Sequence, residues 1–260
     1  MPTSNDGRGI MTKTLTPEHF SKPAINLGSG IFTFSETIHV YGKDPSYLCL
    51  TLDVSGPWNQ ITYTGKGPAI VFHNLKDSRI NGLHVLGGDV VFLTDGSSSR
   101  NTLTNCRVQK GGMVFDAPNG ADMCHFLLNT CEAEEGSIRF IGPNNLDHVL
   151  TNCTASNNPN GVGFDFSEGG SASTLVGCGG SFNDAVIKVN GGYQLTIVGG
   201  RSELSQTFVE ATYDGPTPLS ITGTTLDNVD QVIVGKKKGV EVKNVWNNGK
   251  LVNQSWYYPV

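Results

Sequence analysis

Apolar residues occur in short alternating runs, and the runs recur along the chain. Leu103-Thr104-Asn105-Cys106, Leu128-Asn129-Thr130-Cys131, Leu150-Thr151-Asn152-Cys153 and Leu175-Val176-Gly177-Cys178 each set an apolar residue three positions before a cysteine. Successive cysteines are 25, 22 and 25 residues apart. The pattern continues with Ile197 before Gly200 and Ile221 before Thr224, and upstream with Ile80 before Leu83. A polar or Gly-rich turn follows each copy and leads into a second apolar run. These runs are Val90-Val91-Phe92-Leu93, Met113-Val114-Phe115, Ile138-Arg139-Phe140, Val162-Gly163-Phe164, Val186-Ile187-Lys188-Val189, Val209-Glu210-Ala211 and Val232-Ile233-Val234. Each period therefore holds at least two strands.

Short alternating strands at a period in the twenties, with Asn-Gly and Asp-Gly turns and almost no helical periodicity, predict stacked coils. A leucine-rich repeat has a similar period, but its leucines sit at fixed offsets around an Asn or Cys, and here the second run is Val, Ile and Phe. The fold class expected is all-β: a single-stranded right-handed parallel β-helix, or solenoid, of about 7–8 coils with a period of about 24 residues. Equivalent residues of successive coils would lie about 4.8 Å apart and form ladders of like side chains. Cys106, Cys131, Cys153 and Cys178 then read as an internal thiol ladder, and Phe92, Phe115, Phe140 and Phe164 as an inward aromatic one.

Composition narrows the classes. Hydrophobic content of 37% and charged content of 16% are low for a globular enzyme and suit a thin core wrapped in Gly, Asn, Ser and Thr turns. A net charge of −5 offers nothing to a phosphate backbone, so no nucleic-acid partner is expected. No apolar run is long enough to span a membrane. The first ten residues lack the basic start and apolar core of an export leader, so the chain is expected to be made in a cytosol, with its six cysteines reduced. There is no C-x-x-C pair and no Cys/His cluster at ligand spacing, so no metal and no cofactor are expected. Glu132-Ala133-Glu134-Glu135 is placed in a solvated turn, and His125 and His148 in structural or surface roles on adjacent coils.

The chain divides into an N-terminal arm or cap over residues 1–23, the β-helix over 24–245, and an aromatic cap or tail over 246–260 carrying Trp246, Trp256, Tyr257 and Tyr258. One helical turn is expected near Pro17-Glu18-His19-Phe20. From Ala24 the text runs through Gly28-Ser29-Gly30-Ile31-Phe32-Thr33-Phe34, Ser35-Glu36-Thr37-Ile38-His39-Val40, Leu50-Thr51-Leu52 and Ile61-Thr62-Tyr63-Thr64-Gly65-Lys66-Gly67-Pro68-Ala69-Ile70. This order resembles the opening coils of the pectin-lyase-like right-handed β-helix superfamily, especially phage tailspikes and related polysaccharide-degrading proteins. The resemblance covers about residues 24–245 and is one of fold grammar. It implies a trimeric assembly, as in similar proteins, and a virion or extracellular destination after release. The Asn-Thr-Asp, Asp-Asp, Gly-His-Gly and Arg-Ile-Lys elements of polygalacturonases are absent, as is the Arg-x-Pro-x-x-Arg pattern of calcium-dependent pectate lyases, and a fold alone implies no activity.

Alternation in the second run places charges on one outer surface: Asp116, Arg139, Asp165, Lys188 and Glu210. With Phe164 aligned on Phe140, Asp116 and Asp165 stand two coils apart, roughly 9.6 Å, near the upper limit for the acid and base of an inverting glycosidase. These are the candidate catalytic residues. Arg139, Lys188 and Glu210 are candidate substrate-binding residues, Arg139 by bidentate contact with an acidic sugar. A lyase would instead use Lys188 or Arg139 as the base beside a uronate carboxylate. Alternating charges also serve simply to solvate a sheet face. The expected function is a phage-like virion component, a tail spike, fibre or capsid decoration whose surface binds host glycans. The alternative is a polysaccharide hydrolase or lyase.

Overall fold

A computed structural model of the chain describes residues 12–14, 16, 24–26, 31–41, 48–54, 60–190, 194–212, 219–235 and 239–256. It is a parallel β-solenoid of about seven turns with a period of about 24 residues. Each turn contributes a strand to three parallel faces. One face begins with Thr12–Thr14, Ile31–Phe34 and Gln60–Tyr63 and runs through Arg107–Gln109 to Thr154–Ser156. A bridge from Thr154 to Gly179 carries it on into Gly180–Ser181, Arg201–Glu203 and Thr225–Asp227. Among the described residues the second face stacks nine strands, from Ile38–Val40 to Gln231–Gly235. The third carries the Leu103, Leu128, Leu150, Leu175, Ile197, Ile221 and Val242 ladder in register.

The Asn-Cys motif has a backbone cause. Asn105, Thr130, Asn152, Gly177, Gly199, Gly223 and Asn244 occupy the same corner between the third and first faces, and all have φ between 51° and 70°. That left-handed conformation suits Gly and Asn, and it turns the chain so that the next residue points inward. Cys106, Cys131, Cys153 and Cys178 are that next residue, and all four are buried free thiols. Hydrogen bonds with Cys106 and Cys153, together with burial, push the Cys131 thiol far up.

The second face holds the aromatic core. Phe72, Phe92, Phe115, Phe140 and Phe166 stack along the tube with ring centroids 4.8 to 5.5 Å apart. Phe164, expected on Phe140, is buried instead opposite Ile138 and Ile187. The strands pair with Phe164 on Ile138 and Asp165 on Arg139, two residues away from that expectation, and a bulge follows, so that Glu168 and not Ser167 faces Ile141. Gly170 makes room for Phe166: a Cβ there would lie 2.3 Å from its ring.

Two other expectations shift. Glu132–Glu134 is a strand of the first face and not a turn; Glu132 and Glu134 project outward and pair with Arg107. At the C-terminal end, Lys250–Trp256 runs antiparallel along Val240–Asn247, covering that strand's edge with backbone. Trp246, placed in the cap from sequence, lies on Val240–Asn247 with its side chain 49% exposed. At the other end Thr12–Thr14, within the expected arm, pairs parallel with Ile31–Phe34. The helical turn over 17–20 and the aromatics Tyr257 and Tyr258 lie outside the described residues, as does the side chain of Trp256.

Candidate functional face

The outer surface of the second face carries two adjacent columns. One is His39, Val71, Val91, Val114, Arg139, Asp165, Lys188, Glu210 and Val234. The other is His73, Leu93, Asp116, Ile141 and Glu168. Strand alternation puts these side chains outward while the Phe and Ile/Val ladders point in.

The register reorders the expected site. Arg139, Asp165, Lys188 and Glu210 are consecutive in one column, whereas Asp116 belongs to the other. Asp116 and Asp165 are therefore two coils and two residues apart, roughly 12 Å between backbones from ladder spacing and strand rise. The carboxylate two coils from Asp116 in its own column is Glu168, at roughly 9.6 Å by the same spacing. The sequence signal for it is the doubled aromatic Phe164-Asp165-Phe166, which gives two equally apolar ways to continue the stack.

The charges are paired. Arg139 reaches Glu168 at 2.7 Å and Asp165 at 3.6 Å, and Lys188 reaches Glu210 at 3.2 Å. Asp165 also accepts hydrogen bonds from the Ser167 backbone N–H and hydroxyl. Asp116 stands apart from these pairs. Burial raises its carboxyl above the ordinary range; Arg139 pulls against this and Glu168 adds to it.

At the N-terminal end of the face His39, Tyr41 and His73 form a surface cluster. His39 Nδ1 and His73 Nε2 are 3.0 Å apart, and the Tyr41 ring stacks on His73 at 4.1 Å. Burial, and then His39, lower the His73 pKa, while Asp95 opposes them.

The other two histidines singled out in the sequence part company. His125 is exposed at a corner. His148 is wholly buried: its Nδ1 accepts from the Phe126 N–H, so Nε2 carries the proton and donates to Asn145 Oδ1 at 2.6 Å. Asn145 passes the network on to the Phe115 and Ile141 carbonyls. Burial pushes the His148 pKa down to about 3, with His125 adding to the effect. Its role is to satisfy the interior beside Phe140, on which it stacks at 4.7 Å.

No family model matches the chain, and no curated protein matches it.

Proposed function

We propose that the chain is a β-helical structural protein of a phage-like particle, a tail spike, fibre or capsid decoration, whose charged second face binds host glycans. In this reading the subunits form a trimer. The support is the pairing of Arg139 with Asp165 and Glu168 and of Lys188 with Glu210 along one extended face. Paired, partly exposed charges exchange partners with an acidic or polyhydroxylated ligand at little cost, because each pair is worth only about 0–1 kcal/mol. A rigid ladder also presents those groups at a fixed repeat, which lowers the ordering cost of binding a repetitive polymer. The test is binding to an array of bacterial surface polysaccharides. A bound glycan whose affinity falls roughly fivefold or more, about 1 kcal/mol, in Arg139→Gln supports this reading. Wild-type protein that binds none of the array contradicts it.

A second reading, a polysaccharide hydrolase, is favoured by one observation: Asp116, with its raised carboxyl pKa, shares a column with Glu168. Asp116 would be the acid and Glu168 the base, on either side of a glycosidic bond.

A further inference from the structure

We propose that His39 and His73 form a binding site for a tetragonal divalent transition metal, copper(II) or nickel(II), on the N-terminal end of the second face. The two residues are 34 positions apart in sequence and are brought together by the pairing of Ile38–Val40 with Ile70–His73. Their ring nitrogens, His39 Nδ1 and His73 Nε2, are separated by 3.0 Å. Two nitrogens each about 2.0–2.1 Å from one ion lie roughly 2.9 Å apart at a right angle and roughly 3.4 Å apart at the tetrahedral angle. The observed spacing fits cis positions of a tetragonal ion. Copper(II) also heads the affinity order for imidazole donors.

The rings are held for this. Tyr41 stacks on His73 with an interplanar angle of 17°, and Val71, the register partner of His39, is buried. An exposed hydrogen bond between two imidazoles adds little against water, so the metal displaces only a weak interaction. On binding, the ring that carried the shared proton moves it to its other nitrogen through solvent. Two neutral imidazoles then face the ion, and no net proton is released. No third His, Cys, Asp or Glu joins the pair among the described residues, so water fills the other positions and leaves them open to a ligand.

The test is copper(II) titration of the full chain in a Cys49→Ser/Cys124→Ser background, which removes the accessible thiols, followed by calorimetry and electron paramagnetic resonance. One equivalent of copper with hyperfine splitting from two imidazole nitrogens is expected. His39→Gln and His73→Gln each weaken it about tenfold or more, about 1.4 kcal/mol, while His84→Gln and His125→Gln leave it unchanged. His39 is exposed, so its variant keeps the test valid should His73→Gln lower the melting temperature. Equal copper affinity in the His39→Gln/His73→Gln double variant and its parent overturns the site, and tighter binding of zinc(II) than of copper(II) overturns the tetragonal assignment.

Discussion

Phe166 stacks on Phe140 with ring centroids 4.9 Å apart and an interplanar angle of 11°. Phe164, two residues earlier, lies opposite Ile138. This register continues without insertion to Asp165, and one extra residue between Asp165 and Glu168 is absorbed opposite Arg139 and Ile141, so a packing choice inside the tube decides which charges are neighbours outside it. Asp165 moves beside Arg139, and Glu168 takes the column of Asp116.

A double-mutant cycle tests that register. Phe140→Ala and Phe166→Ala should each cost about 3–5 kcal/mol by urea denaturation, with a coupling of about 0.5–1.5 kcal/mol from the lost stack. The Phe140→Ala/Phe164→Ala cycle should show the smaller coupling. The reverse order would restore the alignment of Phe164 on Phe140.

Thr130 is the β-branched residue in a corner otherwise filled by Asn and Gly, with φ of 53° and an exposed side chain. Thr130→Asn should raise stability by about 1 kcal/mol, since Asn tolerates this conformation and Thr does not. Thermal melts measure the shift, and a loss of stability would mean that the hydroxyl has a role in the turn.

The thiol ladder gives a reactivity pattern. In native protein a disulfide-exchange reagent should modify Cys49 readily and the half-buried Cys124 slowly, because burial and Asp147 raise the Cys124 pKa. Cys106, Cys131, Cys153 and Cys178 should react only on unfolding. Cys131→Phe should destabilise the stack by about 1–3 kcal/mol through overpacking. A neutral effect would place Cys131 outside the core.

His148 makes stability depend on pH with a defined sign. Its folded pKa of about 3 lies below the unfolded value of 6.5, so the folded state resists taking up a proton. The contribution is whole above pH 6.5 and is lost as pH falls towards 3, by up to roughly 1.4 kcal/mol per pH unit. Denaturation midpoints measured from pH 7 to pH 4 should fall more steeply for the wild type than for His148→Gln. Parallel curves would mean that the imidazole is reached by solvent.

The fold was legible because its constraints repeat. A left-handed corner selects Asn or Gly, the next residue must fit a narrow interior, and the Leu/Ile position three before the cysteine faces the same core; each rule leaves a mark every coil. The face was legible only in part. Arg139, Asp165, Lys188 and Glu210 do share a column, but the placement of Asp116 needed the register, and Phe164 and Phe166 satisfy the same alternation. Nothing local distinguishes them until Gly170 and the following coil are packed. The His39 and His73 contact had no sequence signature either, since it arises across 34 residues from strand pairing alone.

The most direct measurement of the functional account is product size after incubating the protein with the polysaccharides it binds, alongside Asp116→Asn and Glu168→Gln. The account predicts retention of the glycan at unchanged chain length in all three proteins. Shortening by the wild type that is abolished in Asp116→Asn and Glu168→Gln would contradict it, and would make the second face a hydrolytic groove.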